Sequence, residues 1–244
     1  MKGFCKSDIG RIREINEDSV FVSNEPVGRL SNLYIVADGM GGYKGGEVAS
    51  SSAIKYFCEY CRGYEGSDDT LDIIIAGVRY ANSRIIEDAE RDPVRLGGMG
   101  TTFTAVVVEN GKLYIAHVGD SRLYTLDDWG NLRQITTDHS YVMELVKAGK
   151  LTLEEAKHHP DRNFITRALG VRHDLLVDGI VSGLARYVIL CTDGLTNMLS
   201  DDDIKNIVSS EDFAENKAGR LVYEANCRGG SDNISVILID REVG

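Results

Sequence analysis

The stretch YIVADGMGGYKGGEVAS, residues 34–50, decides how the rest of this chain is interpreted. The apolar run at residues 33–37 predicts a short buried strand. The chain is then expected to turn through three glycines, Gly39, Gly41 and Gly42. A helix is expected to open at Glu47. Asp38 therefore lies where a buried strand ends, so its carboxylate either presents oxygen to a metal ion or caps the helix.

Four further turns along the chain carry acidic residues. They are Asn16-Glu17-Asp18, Gly119-Asp120-Ser121, Thr192-Asp193-Gly194 and Ser231-Asp232-Asn233. Three of the four adjoin apolar runs that predict strands. Carboxylate oxygens suit magnesium or manganese better than zinc or copper, and the sequence has no HExxH or paired Cys/His zinc pattern. The acidic turns together favour a site for hard metal ions.

The composition predicts one compact domain. The chain has 244 residues, 43% of them hydrophobic, and only three prolines. This length is at the upper end of what one hydrophobic core supports. No low-complexity linker or solenoid-type repeat divides the sequence.

Charge and hydropathy exclude some classes of partner. The net charge of −11 argues against nucleic acid or an anionic membrane surface as a main partner, since both require a basic patch. The sequence has no apolar run long enough to cross a bilayer and no secretory signal at its start. We therefore expect a cytoplasmic protein without membrane insertion. Five irregularly spaced cysteines fit a reducing compartment, and the Cys58-x-x-Cys61 pair is expected to belong to the core.

Hydrophobic periodicity predicts strands and helices in runs rather than in strict alternation. Strands are expected at residues 4–9, 19–23, 33–37, 101–108, 112–118, 122–126, 132–135, 187–191 and 234–239. Helices are expected at residues 47–61, 71–88, 140–148, 153–158, 201–209 and 214–227. Such an order indicates an α+β fold with antiparallel sheets.

Eight sequence blocks resemble the metal-dependent serine/threonine protein phosphatases, the protein phosphatase 2C family, in their stand-alone bacterial form. The blocks are SDIGRIREINEDS (7–19), VADGMGGYKGGEVAS (36–50), GMGTTFTAVVV (98–108), AHVGDSRLY (116–124), TTDHSYV (136–142), ITRALG (165–170), LCTDGLTNML (190–199) and GGSDNISVILI (229–239). They occur in the order typical of the family and run nearly from end to end.

The resemblance implies a fold and a domain organisation that periodicity alone does not. The fold is a four-layer α-β-β-α sandwich, in which two stacked, mainly antiparallel sheets are flanked by helices. Residues 1–244 then form a single catalytic domain. The segment 138–167 corresponds to the flap beside the catalytic groove; its alternative is ordinary surface decoration.

The resemblance also implies a reaction, the hydrolysis of phosphoserine and phosphothreonine in proteins by a metal-activated water. Two Mn²⁺ or Mg²⁺ ions are expected. Asp38 is expected to bridge them, with the Gly39 carbonyl on one ion. Asp193 and Asp232 are expected to bind the other ion. The set is completed, directly or through water, by Glu17 and Asp18.

Two positions have competing interpretations. Asp120 holds a third, weaker metal ion, as the family pattern implies, or pins the turn into the strand at residues 122–126. Arg13 matches the family's phosphate-binding arginine, whose guanidinium forks onto two phosphate oxygens. The alternative for Arg13 is a surface arginine at a strand end.

The general acid is one departure from part of the family. Some members carry a histidine directly after the Asp-Gly pair, where this chain has Met40, and a thioether cannot donate a proton. His139 lies near the expected flap, but a structural role bonded to local backbone is favoured for it. No Gly-x-Ser-x-Gly elbow supports a covalent serine mechanism.

The resemblance implies phosphorylated protein substrates and a cognate Ser/Thr kinase, and the protein is expected to be a monomer. One alternative function is a catalytically silent, phosphatase-shaped binding module. A second keeps the metal ions but acts on a small phosphoester or on the phosphoserine of a sigma-factor regulator.

Overall fold

The computed structural model describes residues 1–41 and 45–242. Its strands are β1 (Lys2–Asp8), β2 (Asp18–Ser23), β3 (Leu33–Met40), β4 (Gly100–Thr101), β5 (Phe103–Glu109), β6 (Lys112–Val118), β7 (Arg122–Leu126), β8 (Leu132–Gln134), β9 (Asp178–Gly183), β10 (Tyr187–Cys191) and β11 (Ile234–Asp240). Its helices are α1 (Gly45–Gly63), α2 (Thr70–Arg91), α3 (Pro93–Leu96), α4 (Tyr141–Lys147), α5 (Leu153–Lys157), α6 (Asp193–Thr196), α7 (Asp201–Val208) and α8 (Ala214–Cys227).

The strands form two sheets, and their pairings are antiparallel. One sheet has five strands in the order β1-β11-β10-β7-β8. The other has six, in the order β2-β3-β5-β6-β9, with β4 paired to β3. The chain passes from the first sheet to the second between β1 and β2, so the connecting loop lies where the two sheets meet.

Strand β3 shows why its sequence is apolar without alternation. Tyr34 and Val36 belong to a buried cluster that also contains Leu190 and Ile237 of the other sheet, so this cluster lies between the sheets. Ile35 and its same-face neighbours instead pack with residues of α1 and α2. Successive strand side chains point to opposite faces, and both faces of β3 are covered.

The outer faces of the two sheets are covered by helices. α1 and α2 pack on the six-stranded sheet through a cluster that includes Phe57 and Ile74. α7 and α8 pack on the five-stranded sheet through a cluster that includes Ile204 and Leu221. The order of layers is helix, sheet, sheet, helix, which confirms the predicted α+β sandwich.

The expected turn at Gly39 is wrong. β3 continues beyond the predicted residues 33–37 as far as Met40, and Gly39 pairs with Thr101 of β4. The extension arises because β4 pairs with the strand end, a contact that local sequence does not reveal. The part of the predicted turn at Gly42 lies outside the described residues.

Strand β9 is absent from the sequence prediction. Its sequence, DGIVSG, contains two glycines and alternates between partly buried and exposed residues. Those glycines are typical of turns. Pairing with β6 nevertheless makes it the edge of the six-stranded sheet.

Other expectations concern the cysteines, the flap segment and the membrane. Cys58 and Cys61 are buried on α1, as expected for core residues. The segment 138–167 contains α4 and α5 joined by turns. Among residues 1–41 and 45–242, no helix has the length and apolar character needed to span a bilayer.

Candidate metal centre

A cavity of about 250 Å³ gathers seven of the eight residues that the sequence predicts for the site. They are Arg13, Glu17, Asp38, Gly39, Asp120, Asp193 and Asp232. The eighth residue, Asp18, is buried beside them as the cross-strand partner of Asp38. β2 and β3 supply acids from the six-stranded sheet, while α6 and the turn before β11 supply acids from the end of the five-stranded sheet.

The backbone of Asp38 is held by two threonines. The Asp38 N–H donates to Thr102 Oγ1 at 2.9 Å. The Asp38 carbonyl accepts from the Thr102 N–H and from Thr101 Oγ1, both at 2.9 Å. Cross-strand neighbours have Cβ atoms about 5 Å apart, so the pairing of Asp38 with Asp18 places two acids side by side.

Gly39 permits the backbone at the start of α1 to approach the site. A Cβ atom on this residue would overlap the carbonyl oxygen of Gly46 and lie 2.6 Å from the carbonyl oxygen of Glu17. The Gly39 N–H donates to that Glu17 carbonyl at 3.1 Å. A side chain at position 39 would therefore push β3 away from the start of α1 and from Glu17.

Neutral donors orient two of the buried acids. The Thr192 hydroxyl donates to Asp18 Oδ2 at 2.8 Å, and the Asn197 side-chain amide donates to Asp193 Oδ2 at 3.0 Å. Within the described residues, Oδ1 of Asp18, of Asp120 and of Asp193 is buried without a hydrogen-bond partner. Buried carboxylate oxygens without partners are costly, so each of these three marks a place for a ligand.

The electrostatics of the site indicate what kind of ligand it suits. Burial, with the charges of neighbouring aspartates adding to it, raises the pKa of Asp18 to about 7 and the pKa of Asp120 to about 8. The same causes raise the pKa of Asp38 well above its usual value. Burial and then the charge of Asp232 raise the pKa of Asp193, and the hydrogen bond from the Asn197 amide opposes that shift. A bound dication would reverse these shifts, because it favours the charged form of each acid.

The donor set fits magnesium or manganese. All the candidate ligands are oxygen atoms, which these hard cations prefer. In the part of the chain that the structure describes, no three acid, His or Cys side chains converge closely enough to enclose an ion by themselves. The site therefore suits ions that keep several water ligands and use few direct protein ligands, as Mg²⁺ does.

Arg13 provides a positive charge at the rim of this acidic cavity. Its guanidinium Nη2 donates to Asp232 Oδ2 at 2.7 Å, and about half of the Arg13 side chain is exposed. The second oxygen of Asp232 accepts the N–H of Asn233 at 2.9 Å. A cation that is partly exposed beside a metal-binding cluster is placed to receive an anion from solvent.

Several residues that organise the site escape sequence reasoning. Thr102 and Thr192 hold Asp38 and Asp18, and Asn233 bonds to the backbone of the loop that carries Arg13. In the sequence Thr192 and Asn233 adjoin an acid and Thr102 does not, so no local pattern indicates their partners. Asn163, from the segment between α5 and β9, also lines the cavity and was not predicted.

His139 lies outside the cavity, whereas Met40 lines it. His139 is buried and does not line the cavity. Its side-chain Nδ1 accepts the Gly119 N–H at 3.0 Å, and its backbone N–H donates to the Gly119 carbonyl at 2.8 Å. His139 thus bonds to backbone, although its partner Gly119 is 20 positions away rather than local, and its Nε2 lies 3.2 Å from Asp178 Oδ2. Met40 lines the cavity, so the position where some relatives carry histidine does face the site.

A larger cavity of about 610 Å³ adjoins the first one and shares Asp120, Asn163 and Asp193 with it. One side is formed by residues of the segment 138–167, including Met143 and Leu153. The other side is formed by residues of β7, α6 and the start of α7. Because the two cavities share these residues, a chain segment attached to a group bound in the first can extend into the second.

Comparison with known sequences identifies the family. The sequence profile described as "Protein phosphatase 2C" matches residues 11–220. The serine/threonine phosphatase stp of Listeria welshimeri is 37% identical over 247 residues, covering 98% of this chain and 95% of that protein. The serine/threonine protein phosphatase PstP of Mycobacterium tuberculosis is 40% identical over 239 residues, covering 97% of this chain and 44% of that protein.

Solved structures agree with the sequence comparisons. The catalytic domain of PstP in complex with 2 manganese ions has a TM-score of 0.84 and 37% identity, covering 98% of this chain and 97% of that chain. Stp1 from Staphylococcus aureus has a TM-score of 0.91 and 30% identity, covering 100% of this chain and 96% of that chain. These matches and the acidic cavity confirm the resemblance read from the sequence blocks, and the chain belongs to the protein phosphatase 2C family.

Proposed function

We propose that this protein is a metal-dependent phosphatase that hydrolyses phosphoserine and phosphothreonine in proteins. The observation that carries the proposal is the cavity in which a cluster of acids with unpartnered buried oxygens lies beside an arginine. Oxygen ligands for hard dications and a guanidinium for an anion are what phosphoester hydrolysis needs in one place. The relatives named serine/threonine phosphatases, and the PstP structure with manganese, support the same reaction.

The acids would hold metal ions at two positions. Asp38, on the strand that runs into the cavity, would serve both ions, with the Gly39 carbonyl on one of them. Asp193 and Asp232 would hold the other ion. Glu17 and Asp18 would complete the set directly or through water. Asp120, which has a buried oxygen without a partner among the described residues, would hold a third, weaker ion.

When bound, the two ions lower the pKa of water so that it attacks phosphorus at neutral pH, and they offset the charge of the phosphoryl group. The chain's own contribution is positioning. Thr101 and Thr102 fix the backbone of Asp38, and Thr192 orients the carboxylate of Asp18. Because these groups are already oriented, they need not reorient during the reaction as solvent molecules would.

Arg13 binds the phosphate group of the substrate. Its guanidinium can donate two parallel hydrogen bonds to two phosphate oxygens. The existing bond to Asp232 uses Nη2 and keeps the side chain at the edge of the cavity. Because Arg13 contacts the phosphate both before and during the reaction, its main effect is on substrate binding.

The leaving oxygen of serine or threonine is protonated without a histidine. Among the described residues that line the cavity there is no histidine, and Met40 stands at the position that some relatives fill with one. A thioether has no proton to give. The proton therefore comes from water in the site or from a group other than histidine, or protonation contributes less to the reaction.

The larger adjoining cavity is the place for the polypeptide on either side of the phosphorylated residue. It shares three residues with the catalytic cavity, and α4 and α5 of the segment 138–167 form part of its wall. This segment acts as the flap that shapes access of protein substrates. Residues 1–244 act as one catalytic domain in this proposal.

The partner and setting follow from the reaction. A Ser/Thr kinase supplies the phosphorylated substrates, and the protein acts as a cytoplasmic monomer. The net charge of −11 supports a phosphoprotein rather than a nucleic acid as the substrate.

Turnover of a phosphothreonine peptide with Mn²⁺, with Mg²⁺ and with a chelator tests the reaction. We expect activity that requires metal and exceeds the activity on small phosphoesters. Activity confined to small phosphoesters would show that the substrate is a small molecule rather than a protein. A folded protein that is inactive with both metals would instead be the silent binding module.

Asp38→Asn tests the site itself. The amide keeps the shape of the side chain but cannot bridge two cations, so we expect turnover to fall by at least about 10³-fold with the fold retained. Asp72→Asn is the matched control, because Asp72 is an exposed acid on α2 outside the cavity lining. Undiminished activity of the Asp38 variant would refute the assignment.

A further inference from the structure

The loop that carries Arg13 has almost no apolar anchor. It joins β1 of the five-stranded sheet to β2 of the six-stranded sheet. Its three isoleucines remain exposed, at 37% for Ile9, 70% for Ile12 and 36% for Ile15. Only Ile12, next to Arg13, is mostly exposed, so burial contributes little at the apex of the loop, where polar contacts matter most.

One buried amide side chain supplies contacts to both ends of this loop. Asn233, which is 5% exposed, donates from Nδ2 to the Ile9 carbonyl at 2.9 Å and to the Ile15 carbonyl at 3.0 Å. Its Oδ1 accepts the Glu17 N–H at 2.8 Å. The three bonds join residues on either side of Arg13, so one side chain holds the two ends of the loop together. These bonds of Asn233 to Ile9, Ile15 and Glu17 are called the clasp below.

The apex between these bonds begins with a turn at residues 10–12. Just beyond this turn, the Arg13 side chain bonds through its guanidinium to Asp232. A further tie joins the Arg11 N–H to the Gly230 carbonyl at 2.7 Å, on the β1 side of the apex. On the β2 side, Asn233 makes the bond to Ile15, and the Asn16 side-chain amide donates to Ser7 Oγ of β1 at 2.9 Å.

We propose that Asn233 is a positioning residue for phosphate binding, which it promotes by holding Arg13 at the cavity. This rests on the proposed function, in which Arg13 receives the substrate phosphate. The role requires an amide, because only an amide both donates twice and accepts once at these positions. A carboxylate of the same shape would lose both donated bonds.

Asn233→Ala, measured at saturating Mn²⁺, tests the proposal. We expect KM for a phosphothreonine peptide and the inhibition constant of inorganic phosphate each to rise about tenfold, which corresponds to roughly 1.4 kcal/mol of lost phosphate binding. We expect kcat to change less than KM, because Asn233 does not touch the reacting atoms. Asn233→Ser, which keeps a polar group but is too short to join both ends of the loop, is the second variant if alanine prevents folding.

Asn32→Ala is the matched control. Asn32 is also buried, and its amide donates to the Val108 carbonyl at 2.7 Å and accepts the Val108 N–H at 2.8 Å. It stands just before the start of β3, whereas Asp38 lies near the opposite end. We expect this variant to lose stability while its KM and phosphate inhibition stay within about twofold of the parent protein.

A double-mutant cycle with Arg13→Ala shows whether Asn233 acts through Arg13. If it does, adding Asn233→Ala to the Arg13→Ala protein leaves KM unchanged. A full tenfold rise in the Arg13→Ala background would overturn the proposal. So would an unchanged KM in Asn233→Ala itself, since that would leave Asn233 with a role in stability alone.

Amide hydrogen exchange tests the clasp independently of catalysis. We expect Asn233→Ala to increase exchange at residues 9–17, where the Glu17 N–H loses its acceptor, and Asn32→Ala to leave that segment unchanged. Unaltered exchange at residues 9–17 would overturn the clasp even in an active enzyme. Faster exchange in a protein that hydrolyses no phosphopeptide would refute the proposed function and leave the clasp standing.

Discussion

His117→Gln is expected to remove a pH dependence of folding stability of about 3 kcal/mol. His117 lies on β6, fully buried, with Nδ1 2.9 Å from Thr104 Oγ1 and Nε2 3.2 Å from the Thr137 carbonyl. Glutamine can still donate toward the Thr137 carbonyl but has no group that titrates near neutral pH. The substitution therefore separates titration from packing.

The magnitude follows from the pKa of His117. Burial, together with the nearby His139, lowers that pKa from 6.5 to about 4. The unfolded chain thus binds a proton on His117 between about pH 6.5 and pH 4, where the native protein does not. Stability from this group is complete above pH 6.5 and is lost as pH falls toward 4. At about 1.36 kcal/mol per pH unit, that window amounts to about 3 kcal/mol.

Urea unfolding of both proteins in chelator, from about pH 7 to about pH 4.5, measures the effect. The acidic cavity titrates in both proteins, so its contribution cancels in the difference between them. The neighbouring His139, whose ring centroid lies 4.8 Å from that of His117, and the carboxylates of Asp138 and Asp178 are retained in both as well. We expect the parent protein to lose stability relative to the variant as pH falls. A difference that stays constant with pH would refute the reasoning.

Two further predictions concern the acidic cavity. In chelator, the free energy of unfolding is expected to fall as pH rises from about 4 to about 8. Over this range the folded protein retains protons on Asp18 and Asp120, whose pKa values are raised to about 7 and about 8, while the unfolded chain has already lost them. Mn²⁺ should reverse the trend, and a melting temperature that responds neither to pH nor to Mn²⁺ would contradict the prediction. Thr192→Val keeps the side-chain shape but leaves Asp18 Oδ2 and the Ser235 N–H without the hydroxyl. We expect a loss of about 1–3 kcal/mol of stability and weaker Mn²⁺ binding by calorimetry; unchanged Mn²⁺ affinity would show that Thr192 does not orient Asp18.

The acids of the site were predictable because each one adjoins a strand or a helix start. Asp38 and Asp193 follow apolar runs that became β3 and β10, and Asp232 precedes the run that became β11. In a sandwich of two sheets, such strand ends can meet at one edge. Sequence order alone did not show that they do so; the resemblance to a family implied it, and the cavity brings them together.

What the sequence could not reveal depends on partners far along the chain. The clasp joins Asn233 to Ile9, 224 positions away, and no local pattern distinguishes an asparagine that holds a loop from one that ends a turn. β3 extends through Gly39 because β4 pairs with it, although glycine there suggested a turn. β9 forms despite two glycines because the edge of β6 offers it hydrogen bonds. In each case tertiary pairing overrode local propensity.

The kind of residue that orients the acids explains how the site retains its charge for metal ions. Thr192 and Asn197 hold Asp18 and Asp193 through neutral donors. A lysine or arginine in either place would neutralise the carboxylate and compete with the dication. Arg13 pairs with Asp232 at the exposed rim, where solvent weakens the interaction and the guanidinium can turn to a phosphate. Asp18 and Asp193 are thus fixed in place by neutral donors, so a divalent metal ion that favours their charged forms meets no competing cation at those bonds.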